Sequence, residues 1–148
     1  VYVLIRLVFG VFGIDFPGLA DAVGLLMLAL GIAGAFVGTL AAILETDLKK
    51  LFAQSSIAQL GYMAIGIGAM SATGLAAAFI HLVNHALMKG ALFLAIGAIA
   101  AQVGHASMGT IQGAGRQIPL TMTAILVGGL ALIGVPLTAG FISKWTAA

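Results

Sequence analysis

Residues 22–44 contain no charged side chain and consist mostly of Leu, Ala, Gly, Ile and Val. A helix that crosses the hydrocarbon core of a bilayer needs roughly 20 such predominantly apolar residues. Only 7% of the 148 residues are charged and the mean hydropathy is +1.23, whereas soluble domains carry about 25% charged residues. The sequence therefore predicts an all-α fold, a polytopic bundle of transmembrane helices.

The apolar runs predict four to five membrane segments, at about 1–12, 22–44, 51–70, 74–101 and 119–142. The first run is too short to cross a bilayer, and both chain ends lie in or beside apolar sequence. We therefore expect an internal fragment of a single transmembrane domain. The last segment is expected to be broken near Pro136 and Gly140, because proline and glycine interrupt helices.

The charged residues predict an orientation. If the segments alternate in direction, the loops on one side carry the residues Lys49, Lys50, His105 and Arg116. The opposite loops carry Asp15 and Asp21 and no Lys or Arg. Cytoplasmic loops are enriched in Lys and Arg, so we expect a multi-pass protein of the cell (inner) membrane with Lys49, Lys50 and Arg116 on its cytoplasmic side.

Three ionisable residues share one face of the segment 74–101. In HLVNHALMK, His81, His85 and Lys89 are spaced i, i+4, i+8, which places them on one helical stripe about 12 Å long. Lys89 lies near the middle of the apolar stretch, too deep to reach either membrane face. Ionisable side chains at that depth are costly and usually face the bundle interior or water. The stripe predicts a relay for protons, because imidazole can accept a proton on one nitrogen while donating from the other.

Two other interpretations of this stripe remain. The His residues could only hold helices together through hydrogen bonds, as polar residues in membrane helices do. His81 and His85 at i, i+4 could also bind zinc, but no carboxylate or Cys lies nearby in the sequence to complete a metal site.

Lys144 is the second candidate for ion translocation. It follows the expected break in GVPLTAGF, and discontinuous helices beside polar groups are typical of transport sites. With Trp145 it could equally form an ordinary interfacial anchor. Asp47 and Lys49 are further candidates, either for coupling at the cytoplasmic surface or as structural residues, with Asp47 capping the next helix.

Several kinds of site have no support in the sequence. The chain has no Cys, no phosphate-binding loop and no nucleotide fingerprint, so we expect neither a cofactor nor a metal. The basic residues are scattered and form no nucleic-acid-binding patch. We expect the partners to be the lipid bilayer and other membrane subunits.

The sequence blocks resemble, in order, those of the proton-translocating antiporter family shared by complex I membrane subunits, Mrp-type Na+/H+ antiporters and membrane-bound hydrogenases. TDLKKLFAQSSIAQLGYM resembles the family block TDIKR-L-AYSS-I-Q-GYM, and HLVNHALMKGALFLAIG resembles H-x3-H-A-x2-K-x-LLFL. The stretch 118–144 resembles the broken helix and its lysine, and VYVLIR resembles the stretch after a channel helix.

This resemblance implies that His81, His85 and Lys89 belong to a central polar axis, and that Lys144 is the ionisable residue beside the broken helix. It also implies that a paired glutamate and other lysines precede residue 1. GFISKW and Gln-Ser-Ser are most similar to the D-type subunit of Mrp antiporters, with the L-, M- and N-type subunits of complex I or a hydrogenase subunit as the alternative.

No redox group is expected in this chain, although it could belong to an NADH-quinone oxidoreductase. The rival functions are a non-transporting membrane scaffold and a substrate transporter of unrelated fold.

Overall fold

A computed structural model describes residues 1–12, 17–104, 106–109, 111 and 114–147. Within these ranges the regular elements are helices, in agreement with the predicted all-α class. The α-helices are α1 (Tyr2–Leu7), α2 (Pro17–Ile43), α3 (Leu48–Gly68), α4 (Ala72–Val103), α5 (Ala114–Gln117), α6 (Pro119–Ile133) and α7 (Ala139–Ala147), and a π-helical turn, Val8–Phe12, follows α1. Asp15 and His105, on which the predicted orientation partly depends, lie outside the described residues.

Two of the described helices are long and apolar enough to cross a membrane by length and composition, Gly18–Ile43 and Ala72–Val103. The shorter apolar helices are Tyr2–Val11 and Pro119–Ile133. Large side chains of α2 are widely exposed, among them Leu25 and Phe36, each 69% exposed. Such surfaces suit contact with lipid or with further helices.

Glycines bring α2 and α3 into backbone contact. A Cβ atom added at Gly38 would lie 2.5 Å from the backbone nitrogen of Ala58, and one at Gly61 would lie 2.5 Å from that of Ala35. Within lipid, apolar burial gives little drive for helix association, so close backbone approach through small residues supplies much of it. This packing fixes the position of α3, which carries one side of the candidate site.

The antiparallel helices α3 and α4 are connected at both ends. A short turn at 69–71 joins them, and the Ser71 hydroxyl caps α4 by accepting a hydrogen bond from the Gly74 amide at 3.0 Å. At the other end the segment before α3 pairs with the segment after α4. The Leu48 amide donates to the Ala106 carbonyl and the Met108 amide donates to the Thr46 carbonyl, both at 3.1 Å.

The predicted break near Pro136 and Gly140 separates α6 from α7. α6 ends at Ile133, and its C-cap Gly134 has a left-handed φ of 89°. In the turn that follows, the Thr138 amide donates to the Val135 carbonyl at 3.1 Å, and Leu137 has a φ of 76°. Pro136 and Leu137 occupy the two central positions of this turn. A turn with positive φ at its second central position normally has glycine at that position, which Leu137 occupies here.

Candidate functional site

His81 connects three helices through its two ring nitrogens. It is 5% exposed on α4. Its Nδ1 lies 2.9 Å from the hydroxyl oxygen of Ser143 on α7, and its Nε2 lies 2.9 Å from the amide oxygen of Gln59 on α3. Both partners are buried. Because each nitrogen has a polar partner, the ring is held in one orientation in the interior of the bundle.

His85 lies one turn further along the same stripe. Its ring stacks on that of His81, with centroids 6.0 Å apart and an interplanar angle of 21°. The side chain is buried, and its Nδ1 has no hydrogen-bond partner among the described residues. Buried polar atoms nearly always have a partner, so this nitrogen has an unused capacity to bind a proton or a water molecule.

Lys89 is 5% exposed and lies in a cradle formed by α3 and α4. Its ammonium group donates to the Phe52 carbonyl and to the Ser55 hydroxyl. The Phe52 ring centroid is 5.0 Å from Nζ and that of Phe93 is 5.9 Å away. Ring faces attract cations at such distances. The cradle therefore stabilises the ammonium with dipoles and aromatic faces.

Lys144 turns back from α7 to the break. Its Nζ donates to the Leu132 carbonyl at 2.7 Å and to the Ile133 carbonyl at 3.2 Å, and it lies 5.8 Å from the Tyr62 ring centroid. The carbonyls at the end of α6 carry the negative end of the helix dipole, which favours a cation. The side chain thus contacts the interrupted helix, whereas the neighbouring Trp145 is 73% exposed.

Other side chains also bind the carbonyls near the break. The Asn84 side chain donates to the Ala139 carbonyl at 2.9 Å, and the Ser143 hydroxyl lies 3.2 Å from the Gly140 carbonyl. Interrupting a helix in lipid frees backbone groups that must be paired within the protein. Lys144 pairs two of these groups, the Leu132 and Ile133 carbonyls at the end of α6, whereas the Asn84 contact joins α4 to the first turn of α7.

A stripe on α3 faces the ionisable residues. Ser55, Gln59 and Tyr62 are spaced i, i+4, i+7, so they lie on one helical face, and each contacts a different candidate residue: Lys89, His81 and Lys144. These partners, and Ser143, were not among the residues predicted from the sequence. The polar residues Ser55 and Gln59 in an otherwise apolar helix were a signal that could have identified them.

Two cavities adjoin this stripe. One of about 280 Å³ is lined by His81, Ser143 and Lys144 among others. A second, of about 330 Å³, is lined by Ser55, Gln59 and Lys144 together with residues of α2. Lys144 borders both cavities, which therefore extend along the polar side chains of α3 and α7.

The oxygen partners of both lysines are carbonyls and a hydroxyl, and none is a carboxylate within the part of the chain that the structure describes. In the same ranges no group of three or more His, Cys, Asp or Glu residues could hold a metal ion. Isolated buried charges cost several kcal/mol, so these amines depend on the dipoles around them.

Asp47 and Lys49 lie at the start of α3. The Asp47 carboxylate accepts hydrogen bonds from the Lys49 amide at 2.8 Å and the Lys50 amide at 3.3 Å, and thereby caps the helix. The Lys49 side chain is exposed. These contacts give Asp47 a structural role, and coupling through either residue stays a prediction.

The fold and site together define a class: a polytopic α-helical membrane protein with ionisable side chains in its interior and an interrupted helix beside them. The sequence profile of the family described as "NADH:quinone oxidoreductase/Mrp antiporter, TM" matches residues 1–147. The chain belongs to this family, and the predicted family resemblance is confirmed.

Individual relatives agree with this assignment. NADH-quinone oxidoreductase subunit N of Desulforudis audaxviator is 37% identical over 78% of this chain and 23% of its own length. Hydrogenase-4 component B of Escherichia coli is 35% identical over 82% of this chain and 20% of its own length. NADH-quinone oxidoreductase subunit L of Pseudomonas aeruginosa is 41% identical over 78% of this chain and 19% of its own length. The chain thus spans about a fifth of these curated relatives.

A solved structure has the same fold. A chain of the membrane-bound sulfane sulfur reductase, an archaeal respiratory membrane complex, superimposes with a TM-score of 0.88 at 28% identity and covers 99% of this chain and 29% of its own length. The predicted class, a transmembrane helix bundle, is therefore confirmed. The relatives named above are subunits of complex I and of a hydrogenase, and their similarity does not single out the D-type subunit of Mrp antiporters.

Proposed function

We propose that this chain is part of a proton-translocating membrane subunit and that Lys89, His85, His81 and Lys144 carry the protons. The observation behind the proposal is that Lys89 is buried with carbonyl, hydroxyl and aromatic partners, none of them a carboxylate among the residues that the structure describes. A buried lysine with a purely structural role is normally paired with a carboxylate, whereas an amine that exchanges its proton needs a setting that tolerates both its charged and its neutral form. The chain would form one stretch of a single antiporter-like transmembrane domain.

The spacing of the groups allows each to influence the next. Neighbouring residues on the stripe are one helical turn apart, about 6 Å along the axis. Two unit charges at about 6 Å interact by roughly 3 kcal/mol at an effective dielectric constant of 20. That energy changes a proton equilibrium about a hundredfold. Arrival of a proton at His85 would therefore favour release of one from Lys89, and a charge on Lys144 would act on His81 in the same way.

We infer that the complete subunit works within a redox-driven respiratory complex, with other membrane subunits as partners. The named relatives from complex I and hydrogenase support this branch. Because this chain carries no redox motif, the energy would come from those partners. The second candidate is the D-type subunit of an Mrp antiporter exchanging Na+ for protons, which the GFISKW ending and Gln-Ser-Ser favour.

We also propose that Lys49, Lys50 and Arg116 face the cytoplasm, as the positive-inside tendency predicts. The backbone pairing of Thr46 and Leu48 with residues 106–108 supports placing these two loops on one side of the membrane.

The test of proton translocation uses the full-length subunit in its complex. Lys89→Ala and Lys144→Ala should each abolish proton uptake into inverted membrane vesicles, followed with a pH-sensitive dye, while assembly of the complex is retained. Lys50→Ala is the matched control, since this lysine is exposed at the start of α3. The complex with this variant should transport protons normally. Normal transport in both buried-lysine variants would refute the proposal. If the complex with Lys89→Met keeps its full activity, the chain is better described as a non-transporting membrane scaffold.

The two branches differ in what drives transport. In vesicles from cells expressing the full-length subunit, proton uptake that starts on adding an electron donor supports the redox complex. Proton movement driven by a Na+ gradient alone, without electron flow, would overturn that assignment and support the antiporter.

A further inference from the structure

Ser143 lies between the candidate proton carrier and the broken helix. It is fully buried. Its hydroxyl oxygen is 2.9 Å from Nδ1 of His81 and 3.2 Å from the carbonyl oxygen of Gly140, in the first turn of α7. A hydroxyl has a single hydrogen to donate, so Ser143 can donate to only one of these two acceptors at a time.

Gln59 determines which nitrogen of the neutral ring carries the hydrogen. The partner of Nε2 is the amide oxygen of Gln59, at 2.9 Å, and an amide oxygen can only accept. With the Gln59 amide in this orientation, Nε2 is the donor and Nδ1 of the neutral ring is an acceptor. In that state the Ser143 hydroxyl donates to Nδ1.

When a proton binds to Nδ1, the hydrogen bond between His81 and Ser143 reverses its direction, and the O–H bond of Ser143 stays intact. Nδ1 gains an N–H bond and donates to the hydroxyl oxygen of Ser143. The hydroxyl hydrogen rotates to the Gly140 carbonyl, and the Nε2 donation to Gln59 is unchanged. Every polar atom of the set keeps a partner in both states, which matters because an unpaired buried donor or acceptor costs about 1–3 kcal/mol.

We propose that Ser143 is a positioning residue whose hydroxyl rotates between His81 and the Gly140 carbonyl, so that His81 can hold or release a proton while all buried groups stay paired. Gln59 is the second positioning residue, because it fixes the tautomer. This inference rests on the proposed function, in which His81 carries protons. It adds that the protonation state of His81 is communicated to the backbone beside the helix break.

The charged and titratable groups around His81 come from three helices. His85 stacks on it from α4 itself, with Lys89 one turn further. Tyr62 of α3 and Lys144 of α7 line the same cavity as His81. α6 carries no titratable residue. Since none of these groups bonds to Ser143, a change at that hydroxyl acts on His81 without removing a charge.

The first test measures proton transport against pH in the full-length complex. Ser143→Ala removes the acceptor that the protonated ring needs. Hydrogen bonds of charged groups are about twice as strong as neutral ones, so this loss destabilises the protonated ring more than the neutral ring. The pH at which transport is half-maximal should therefore fall by about one unit. Ser143→Thr keeps the hydroxyl and should restore the profile. Thr123→Val is the control, because it removes a hydroxyl that donates to the Pro119 carbonyl of its own helix.

The second test has the opposite sign. Gln59→Glu places a carboxylate against Nε2 and favours the protonated ring, so the half-maximal pH should rise by about one unit or more. This variant keeps Ser143 and serves if Ser143→Ala does not assemble. An unchanged profile in Ser143→Ala, a Ser143→Thr profile like that of Ser143→Ala, or no rise in Gln59→Glu would overturn the proposal. Lys89→Ala and Lys144→Ala are measured in the same assay. If Lys89→Ala abolishes transport, any of the three results above refutes only the role of Ser143 and leaves proton translocation standing. Normal transport in both lysine variants refutes proton translocation itself.

Discussion

Replacing Gly61 with alanine tests whether backbone contact between α2 and α3 holds this side of the bundle together. The new Cβ would lie 2.5 Å from the Ala35 nitrogen and 2.6 Å from the Gly31 carbonyl oxygen, against 3.4–4 Å for ordinary contact. The neighbours are backbone atoms that cannot rotate away, so the helices must separate by about 1 Å (3.4 − 2.5 = 0.9 Å). Overpacking of this kind typically costs 1–3 kcal/mol.

Gly97 supplies the matched control for this change. An alanine Cβ at Gly97 of α4 meets no atom within 4 Å. Both substitutions gain about 1 kcal/mol of helix propensity, so the difference in stability between the two variants isolates the cost of the clash. We place this cost at about 2–3 kcal/mol, because the new Cβ at Gly61 meets two backbone groups of α2. Thermal unfolding of the purified full-length subunit in detergent should show a lower midpoint for Gly61→Ala and a slightly higher one for Gly97→Ala. Equal midpoints would refute the packing argument.

Two smaller changes test the helix ends in the same unfolding assay. Asp47→Ala should lower stability by about 1 kcal/mol through loss of the cap, whereas Asp47→Asn, which still accepts from the Lys49 and Lys50 amides, should remain close to the parent; equal losses would contradict the capping role. Leu137→Gly should raise stability by about 0.5–1 kcal/mol, because relief of the positive φ exceeds the entropy cost of glycine and the side chain is fully exposed. Leu126→Gly within α6 should instead lower it by about 1 kcal/mol, and a loss at both positions would show that Leu137 is unstrained.

The helical content and the break followed from local patterns. Long uncharged runs predicted membrane helices, and Pro136 with its glycines predicted the interruption. The spacing of His81, His85 and Lys89 predicted one shared face, and the structure places all three side chains in the interior. Their transport role stays a prediction, because burial alone does not show that protons move.

The partners of these residues could not be predicted from the sequence. Ser143 is 62 positions from His81, and Gln59 is 22 positions from it, so only the packing of three helices brings them together. The Phe52 carbonyl that binds Lys89 is a backbone atom with no sequence signature. For Lys144, the structure places the ammonium on the carbonyls at the end of α6, a contact that residue identity could not distinguish from an interfacial anchor.

The pairing of Thr46 and Leu48 with residues 106–108 has a mechanical consequence. α3 and α4 are joined by a covalent turn at one end and by backbone hydrogen bonds at the other, so the pair behaves as a closed frame that resists splaying. Gln59 and His81 lie on that pair of helices, whereas Ser143 belongs to α7, whose covalent connection to α6 is a five-residue interruption and whose contacts with α4 include side-chain hydrogen bonds. We therefore expect conformational change at the site to consist of α7 moving against a stationary α3–α4 pair.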